Sequence, residues 1–304
     1  MLKHRLLMSA LLIPGTIALF AFDHHLGGNA PILYWLLILL SARCVWEVAE
    51  LSRAVGCRPN VLLMIAATWA IITVGWQPIW YMTHSDGFIW NQAPDVLIVL
   101  YCAIAVLLLF ISVVRFPLPE NDGETQPRLG RHLATLGVEL FAVTYIGVFL
   151  AITVQLRWET RATEGYLALG ALVVAAKSGD IGAYTFGRLI GGPKMTPKLS
   201  LGKTWAGGVG HLVTAGLCSV GWLCWLGPMI SSLWKPWGVA SAAEFGVVVG
   251  FAGLIGDLAE SLIKRDVGVK DAPALLPGFG GLLDLMDSLL LAGPVAYGMW
   301  HLLR

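Results

Sequence analysis

Residues 239–265 read VASAAEFGVVVGFAGLIGDLAESLIKR. The run is apolar for long enough to cross a bilayer, which takes about 20 helical residues. It then turns polar before it ends. On a helix Asp257, Glu260 and Lys264 stand at i, i+3 and i+7 and so share one face. That face cannot look at lipid, because a charge within a span costs at least about 2.5–3.5 kcal/mol on insertion scales. A membrane helix is therefore expected here, with one end turned toward a polar cavity or a partner.

The same pattern recurs along the chain. Of its 304 residues 57% are hydrophobic and 13% charged, half the roughly 25% usual in soluble proteins, and the mean hydropathy is +0.74. Apolar runs near 6–22, 31–50, 61–81, 96–114, 134–155, 166–190, 205–227, 239–263 and 282–303 predict an all-α polytopic integral membrane protein of about nine transmembrane helices. The first run follows Lys3, His4 and Arg5 as a signal peptide would. No small-x-small cleavage site follows Phe20-Ala21-Phe22, so it is expected to remain as a helix. The net charge of +1 argues against a nucleic-acid partner. The five cysteines and seven histidines show no pairing or zinc-ligand spacing, and the cysteines read as small core residues.

Cytoplasmic loops collect Lys and Arg, so the nine runs can be oriented. One side holds Lys3, Arg5, Arg53, Arg58, Arg115, Arg128, Arg131, Arg188, Lys194, Lys198, Lys203, Lys264, Arg265 and Lys270; the other holds Arg157, Arg161, Lys235 and Arg304. This asymmetry predicts a cytoplasmic N-terminus and an external C-terminus. Trp76, Trp80, Trp90, Trp158, Trp225, Trp234, Trp237 and Trp300 then gather at the outer face, as an interfacial aromatic belt would. The segment Pro117–Glu124 reads as a cytoplasmic loop. It suggests an N-terminal membrane region (1–116), a loop (117–133) and a C-terminal membrane region (134–304) that carries the chemistry.

The buried charges after residue 165 are Lys177, Asp180, Asp257, Glu260, Asp284 and Asp287. Asp284 and Asp287 lie one turn apart and are expected on one face. Converging carboxylates suit a hard cation such as Mg²⁺, which keeps several waters and bridges carboxylates to substrate phosphates. The nearby lysines and Arg265 suit those phosphates. A bland alternative is that these groups are helix-end ion pairs and N-terminal acids. Asp180 shares a face with Tyr184 and has Lys177 at i−3 as a partner. The basic, hydroxyl-rich stretch from Lys194 to Trp205 opens the seventh span and can bind phosphate at a helix N-terminus. Gly202-Lys203-Thr204 is not the end of a P-loop: Pro197 stands where the first glycine belongs, and no strand is expected before it.

These residues resemble the phosphatidate cytidylyltransferases, or CDP-diacylglycerol synthases. The resemblance rests on Ser261-Leu262-Ile263-Lys264-Arg265, Lys270-Asp271, Leu276-Pro277-Gly278, Gly280-Gly281-Leu282, Asp284 and Asp287-Ser288 in order and spacing. It is joined by Asp180-x-x-Ala183-Tyr184, Ser200-x-x-Lys203-Thr204-Trp205 and Gly256-Asp257-x-x-Glu260-Ser261. It covers residues 170–295 well and the N-terminal spans by hydropathy only.

The resemblance implies transfer of a cytidylyl group from CTP to phosphatidic acid at the cytoplasmic face of an inner membrane, by one chain or a homodimer. It implies Asp257, Lys264, Arg265, Asp284 and Asp287 as catalytic residues. Ser200, Lys203, Thr204, Tyr184, Lys270 and Asp271 would contact substrate. Asp257, Asp284, Asp287 and Asp180 would hold Mg²⁺, with a second metal ion allowed. The chain departs from the family pattern at Phe279 and Leu285, where His and Arg are usual, and at Pro273, where a small residue is typical. Lys177 is expected to supply a compensating positive charge. Two other readings stand beside this one: an ion-coupled transporter lined by the buried Lys177, Asp180 and Asp257, or, from Phe279 and Leu285, a catalytically impaired relative that serves as a membrane partner.

Overall fold

The computed structural model describes residues 29–76, 93–115, 130–158, 162–269 and 280–304, with a few positions between 20 and 26. Eight helices are present among them: α1 (Pro31–Arg53), α2 (Val61–Val74), α3 (Ala93–Arg115), α4 (Arg131–Arg157), α5 (Ala162–Leu189), α6 (Trp205–Ile230), α7 (Val239–Asp266) and α8 (Leu282–Leu303). All but α2 are long and apolar enough to cross a membrane. The expected span 6–22 falls almost wholly outside the described residues, as does the end of the span 61–81, of which α2 is the described part. The exposed faces are greasy. On α3, for example, Ile98, Val99, Val106, Phe110 and Val113 all point outward, the inverse of a soluble helix and the arrangement lipid requires.

One departure from an all-helical chain stands between α5 and α6. Lys194–Thr196 (β1) and Ser200–Thr204 (β2) pair antiparallel, with Lys194 opposite Thr204 and Thr196 opposite Ser200. The expectation that no strand accompanies Gly202-Lys203-Thr204 is thus corrected, although the three residues lie in an extended strand and form no phosphate-wrapping loop. Thr204 ends the strand and starts the next helix: its hydroxyl accepts from the Gly207 amide at 3.1 Å, the N-cap arrangement that satisfies one orphan donor.

Helices α5, α6, α7 and α8 form the tightest part of the bundle, and small residues make it so. At Gly256 an added methyl would collide with the Asp287 carbonyl on α8, and at Gly179 with the His211 ring on α6. In lipid, where helix association relies on close packing, such contacts bring backbones together. Here they also bring Asp257 beside Asp287 and His211 beside Asp180.

At the far end of the same helices the packing is aromatic. Trp300 is fully buried, with ring centroids 4.9 Å from Trp237, 5.8 Å from Trp234 and 6.0 Å from Phe245. Trp76 is buried too, against Tyr34 and Trp158. The expected aromatic belt is therefore revised. Trp76, Trp234 and Trp300 are core residues, Trp225 is exposed as a belt residue should be, and Trp80 and Trp90 lie outside the described residues.

Candidate active site

The charged side chains collect near the C-terminal halves of α5 and α7 and the first two turns of α8. Two linked groups result. In the first, Lys264 on α7 bonds Glu260 one turn back at 2.6 Å and Asp284 on α8 at 2.7 Å. The other Asp284 oxygen accepts from the Gly281 amide at 2.8 Å, so both oxygens of this carboxylate are used. Glu260 is buried, and its Oε1 makes no hydrogen bond among the described residues.

In the second group, Lys203 of β2 meets Asp257 at 2.8 Å. Lys177 on α5 donates to Asp180 at 3.4 Å and to two sites on α8, the Leu285 carbonyl at 3.1 Å and the Ser288 hydroxyl at 2.7 Å. Asp287, almost buried, lies within electrostatic reach of Asp257, Asp180 and Lys177. Asp284 and Asp287 do not act as one face. At i and i+3 they are about 60° apart around the helix, enough to send one to Lys264 and the other toward Asp257.

The remaining expected residues fall around these groups. Arg265 is turned outward, donating to the Leu199 carbonyl in the hairpin turn and to that of Val269, each at 3.4 Å. Ser200 is half-buried at the start of β2. Thr204 is buried with its oxygen engaged as the α6 cap. Tyr184 is exposed, and its hydroxyl accepts from Arg188 at 2.8 Å. Lys270 and Asp271 lie outside the described residues, as do Pro273 and Phe279.

Three residues of the site were not foreseen. Glu47, fully buried on α1, accepts from the Leu282 amide and the Leu283 amide at 2.8 Å each, and from Arg43 Nε at 2.9 Å. A side chain from the N-terminal region thus caps the helix that carries Asp284 and Asp287. Its sequence signal, an Arg–Glu pair at i, i+4, is indistinguishable from an ordinary surface pair. His211 is buried on α6: Nε2 donates to the Gly250 carbonyl at 2.8 Å, which leaves Nδ1 facing Asp180 at 3.9 Å. Tyr145 sits in a π-helical turn of α4, Val143–Val148, a form of irregularity common at functional sites. Its buried hydroxyl makes no hydrogen bond among the described residues and lies within electrostatic reach of Asp287 and Glu260.

As to a divalent cation, no three His, Cys, Asp or Glu side chains among the described residues are already gathered to hold one. Three of the four expected ligands are paired with a lysine: Asp180 with Lys177, Asp257 with Lys203, Asp284 with Lys264. The donors are nonetheless of the right kind, hard carboxylate oxygens brought together from three helices. Asp257, Asp287 and Asp180 fit such an ion better than Asp284, whose oxygens are both committed.

Fold and site together define a polytopic membrane protein with facing carboxylates and lysines at one end of a helical bundle. Comparison with known proteins gives the family. The model of the Cytidylyltransferase family matches residues 3–303, and the chain belongs to that family. It is 30% identical over 235 residues to the phosphatidate cytidylyltransferase of Mycobacterium bovis, covering 76% of this chain and 70% of that one. It is 39% identical over 136 residues to the phosphatidate cytidylyltransferase of Brucella melitensis, covering 44% of this chain and 46% of that one. It is 38% identical over 138 residues to the uncharacterized protein YnbB of Escherichia coli (strain K12), covering 45% and 44%. The matches thus span less than half the length of two of these three relatives.

Proposed function

We propose that this chain is a phosphatidate cytidylyltransferase: it transfers the cytidylyl group of CTP to phosphatidic acid, giving CDP-diacylglycerol and pyrophosphate for phospholipid synthesis. The observation that carries the reading is the family match over nearly the whole chain, with the matching charged residues drawn to one end of α5, α7 and α8. A phosphate oxygen of the lipid attacks the α-phosphorus of CTP and pyrophosphate leaves. The protein's part is to hold two anions in line and to neutralise the charge that develops between them.

Lys203 and Lys264 are placed to receive phosphate oxygens, with Arg265 behind them near the hairpin turn. Each lysine is held meanwhile by a carboxylate, so nucleotide binding exchanges an internal ion pair for one with substrate. Asp257 and Asp287, with Asp180, would hold Mg²⁺, which when bound supplies charge neutralisation at the phosphates. The excess of Lys and Arg on the loops at this end supports a site on the cytoplasmic face of an inner membrane.

The test is purified protein in detergent with labelled CTP, phosphatidic acid and Mg²⁺. CDP-diacylglycerol and pyrophosphate are expected in equal amounts. Absence of any CDP-lipid across a panel of lipid phosphates and divalent ions would overturn the reading.

A further inference from the structure

We infer that Lys177 is a permanent cation of the site, a positioning residue that locks α8 to α5 and limits how strongly the carboxylates draw a divalent ion. This inference rests on the proposed metal-assisted reading of the site and adds a residue to it. An ammonium has three N–H donors. Those of Lys177 all meet protein acceptors: the Asp180 carboxylate, the Leu285 carbonyl and the Ser288 hydroxyl. None is left for a substrate phosphate. Lys177 is therefore not the substitute phosphate donor that its depth in the sequence suggested.

The placement of those acceptors gives it another role. Leu285 and Ser288 are one turn apart on α8 and flank Asp287, while Asp180 is one turn from Lys177 on α5. The ammonium thus ties the turn of α8 that carries one carboxylate to the turn of α5 that carries another. His211 supports the α5 side, its buried Nδ1 facing Asp180 at 3.9 Å.

The charge balance follows. Asp180, Asp257 and Asp287 lie within electrostatic reach of one another and of Lys177, and Lys203 is paired with Asp257. With all three carboxylates ionised, three against two ammoniums leave one net negative charge. Lys203 sits on a hairpin and can leave with substrate. Lys177 is on a membrane helix and cannot. The site therefore keeps one ammonium, that of Lys177, beside its carboxylates when Lys203 turns to substrate.

Titration with Mn²⁺ alone, read by electron paramagnetic resonance on detergent-solubilised protein without CTP or lipid, tests the inference. Wild type should bind one Mn²⁺ per chain. Lys177→Met and Lys177→Gln should bind it at least about tenfold more tightly, the size of a unit charge acting on a dication at several ångströms even in water. Lys177→Arg, which keeps the charge, and Ser288→Ala, which removes one acceptor and no charge, should stay within about threefold of wild type on the same grounds. Unchanged Mn²⁺ affinity in both neutral variants, or no Mn²⁺ bound by wild type, would overturn the inference. So would equal tightening in Lys177→Arg. Because no nucleotide is present, a failure of CTP turnover would sink the proposed reaction and leave this result standing.

Discussion

The two ends of the α5–α8 bundle are built from the same helices on opposite principles. On α7, Phe245 and Asp257 are twelve residues apart, and on α8 Asp287 and Trp300 are thirteen apart, so about 18–20 Å separates the aromatic end from the charged one. At the aromatic end Trp300, Trp237, Trp234 and Phe245 fill space ring against ring. At the charged end close approaches at Gly179 and Gly256 bring His211 beside Asp180 and Asp257 beside Asp287, and three polar atoms have no partner among the described residues: Tyr145 Oη, Glu260 Oε1 and His211 Nδ1. Leaving such atoms unpaired costs roughly 1–3 kcal/mol each. Trp300 Nε1 at the aromatic end also lacks a partner among the described residues, so unmet polar atoms do not distinguish the two ends; the ring packing of one and the ion pairs of the other do.

The comparison can be tested from both ends. The largest effect belongs to Asp287→Asn, which removes a charge at the meeting of α7 and α8. CTP turnover should fall on the order of 10²–10³-fold, the usual loss when a preorganised electrostatic group is removed, while the melting temperature in detergent holds or rises. A fall in melting temperature equal to that of a core mutant would mean that Asp287 is structural.

Next comes Glu47→Ala, which uncaps α8 and leaves Arg43 beside a void. It should cost about 2–3 kcal/mol of stability by orphaning buried donors and lower turnover as well, because Asp284 and Asp287 ride on the helix it holds. Glu47→Asp should restore part of both. Chemical denaturation and initial rates, measured on the same samples, separate the two effects.

Trp300→Ala strikes the aromatic end. In lipid the transfer part of a cavity mutation shrinks, so about 2 kcal/mol is expected, below the 3–5 typical of soluble cores. The KM for CTP should not move. A tenfold change in KM would show that the two ends are energetically coupled.

The smallest effect is Tyr145→Phe, which deletes a buried hydroxyl that has no partner among the described residues. Stability should stay level or rise by up to about 1 kcal/mol, since an unmet polar group is lost and the packing volume is nearly kept. A loss beyond 1 kcal/mol would show that the hydroxyl is bonded in solution.

Much of the charged end was legible in the order of residues. Asp180, Asp257 and Asp287 stood out because a carboxylate inside an apolar run has few explanations, and Lys203 and Lys264 because they flank those runs. Other parts were hidden for definite reasons. Asp284 and Asp287 look equivalent in sequence, and the 60° between them matters only once Lys264 stands on one side and Asp257 on the other. Thr204 reads as a substrate contact, yet the turn from β2 into α6 uses its hydroxyl as a cap. Tyr145 is one aromatic residue among many until the π-turn aims it at the site.

The membrane-spanning helical architecture and the kind of chemistry follow from the sequence alone, because the cost of burying charge in lipid is a property of each residue and its near neighbours. Which carboxylate meets which lysine, and that Glu47 of α1 holds the start of α8 from 235 residues away, were decided only by the tertiary structure. A hydrogen bond depends on ångström distances between helices, and those distances are set by where glycines let backbones touch.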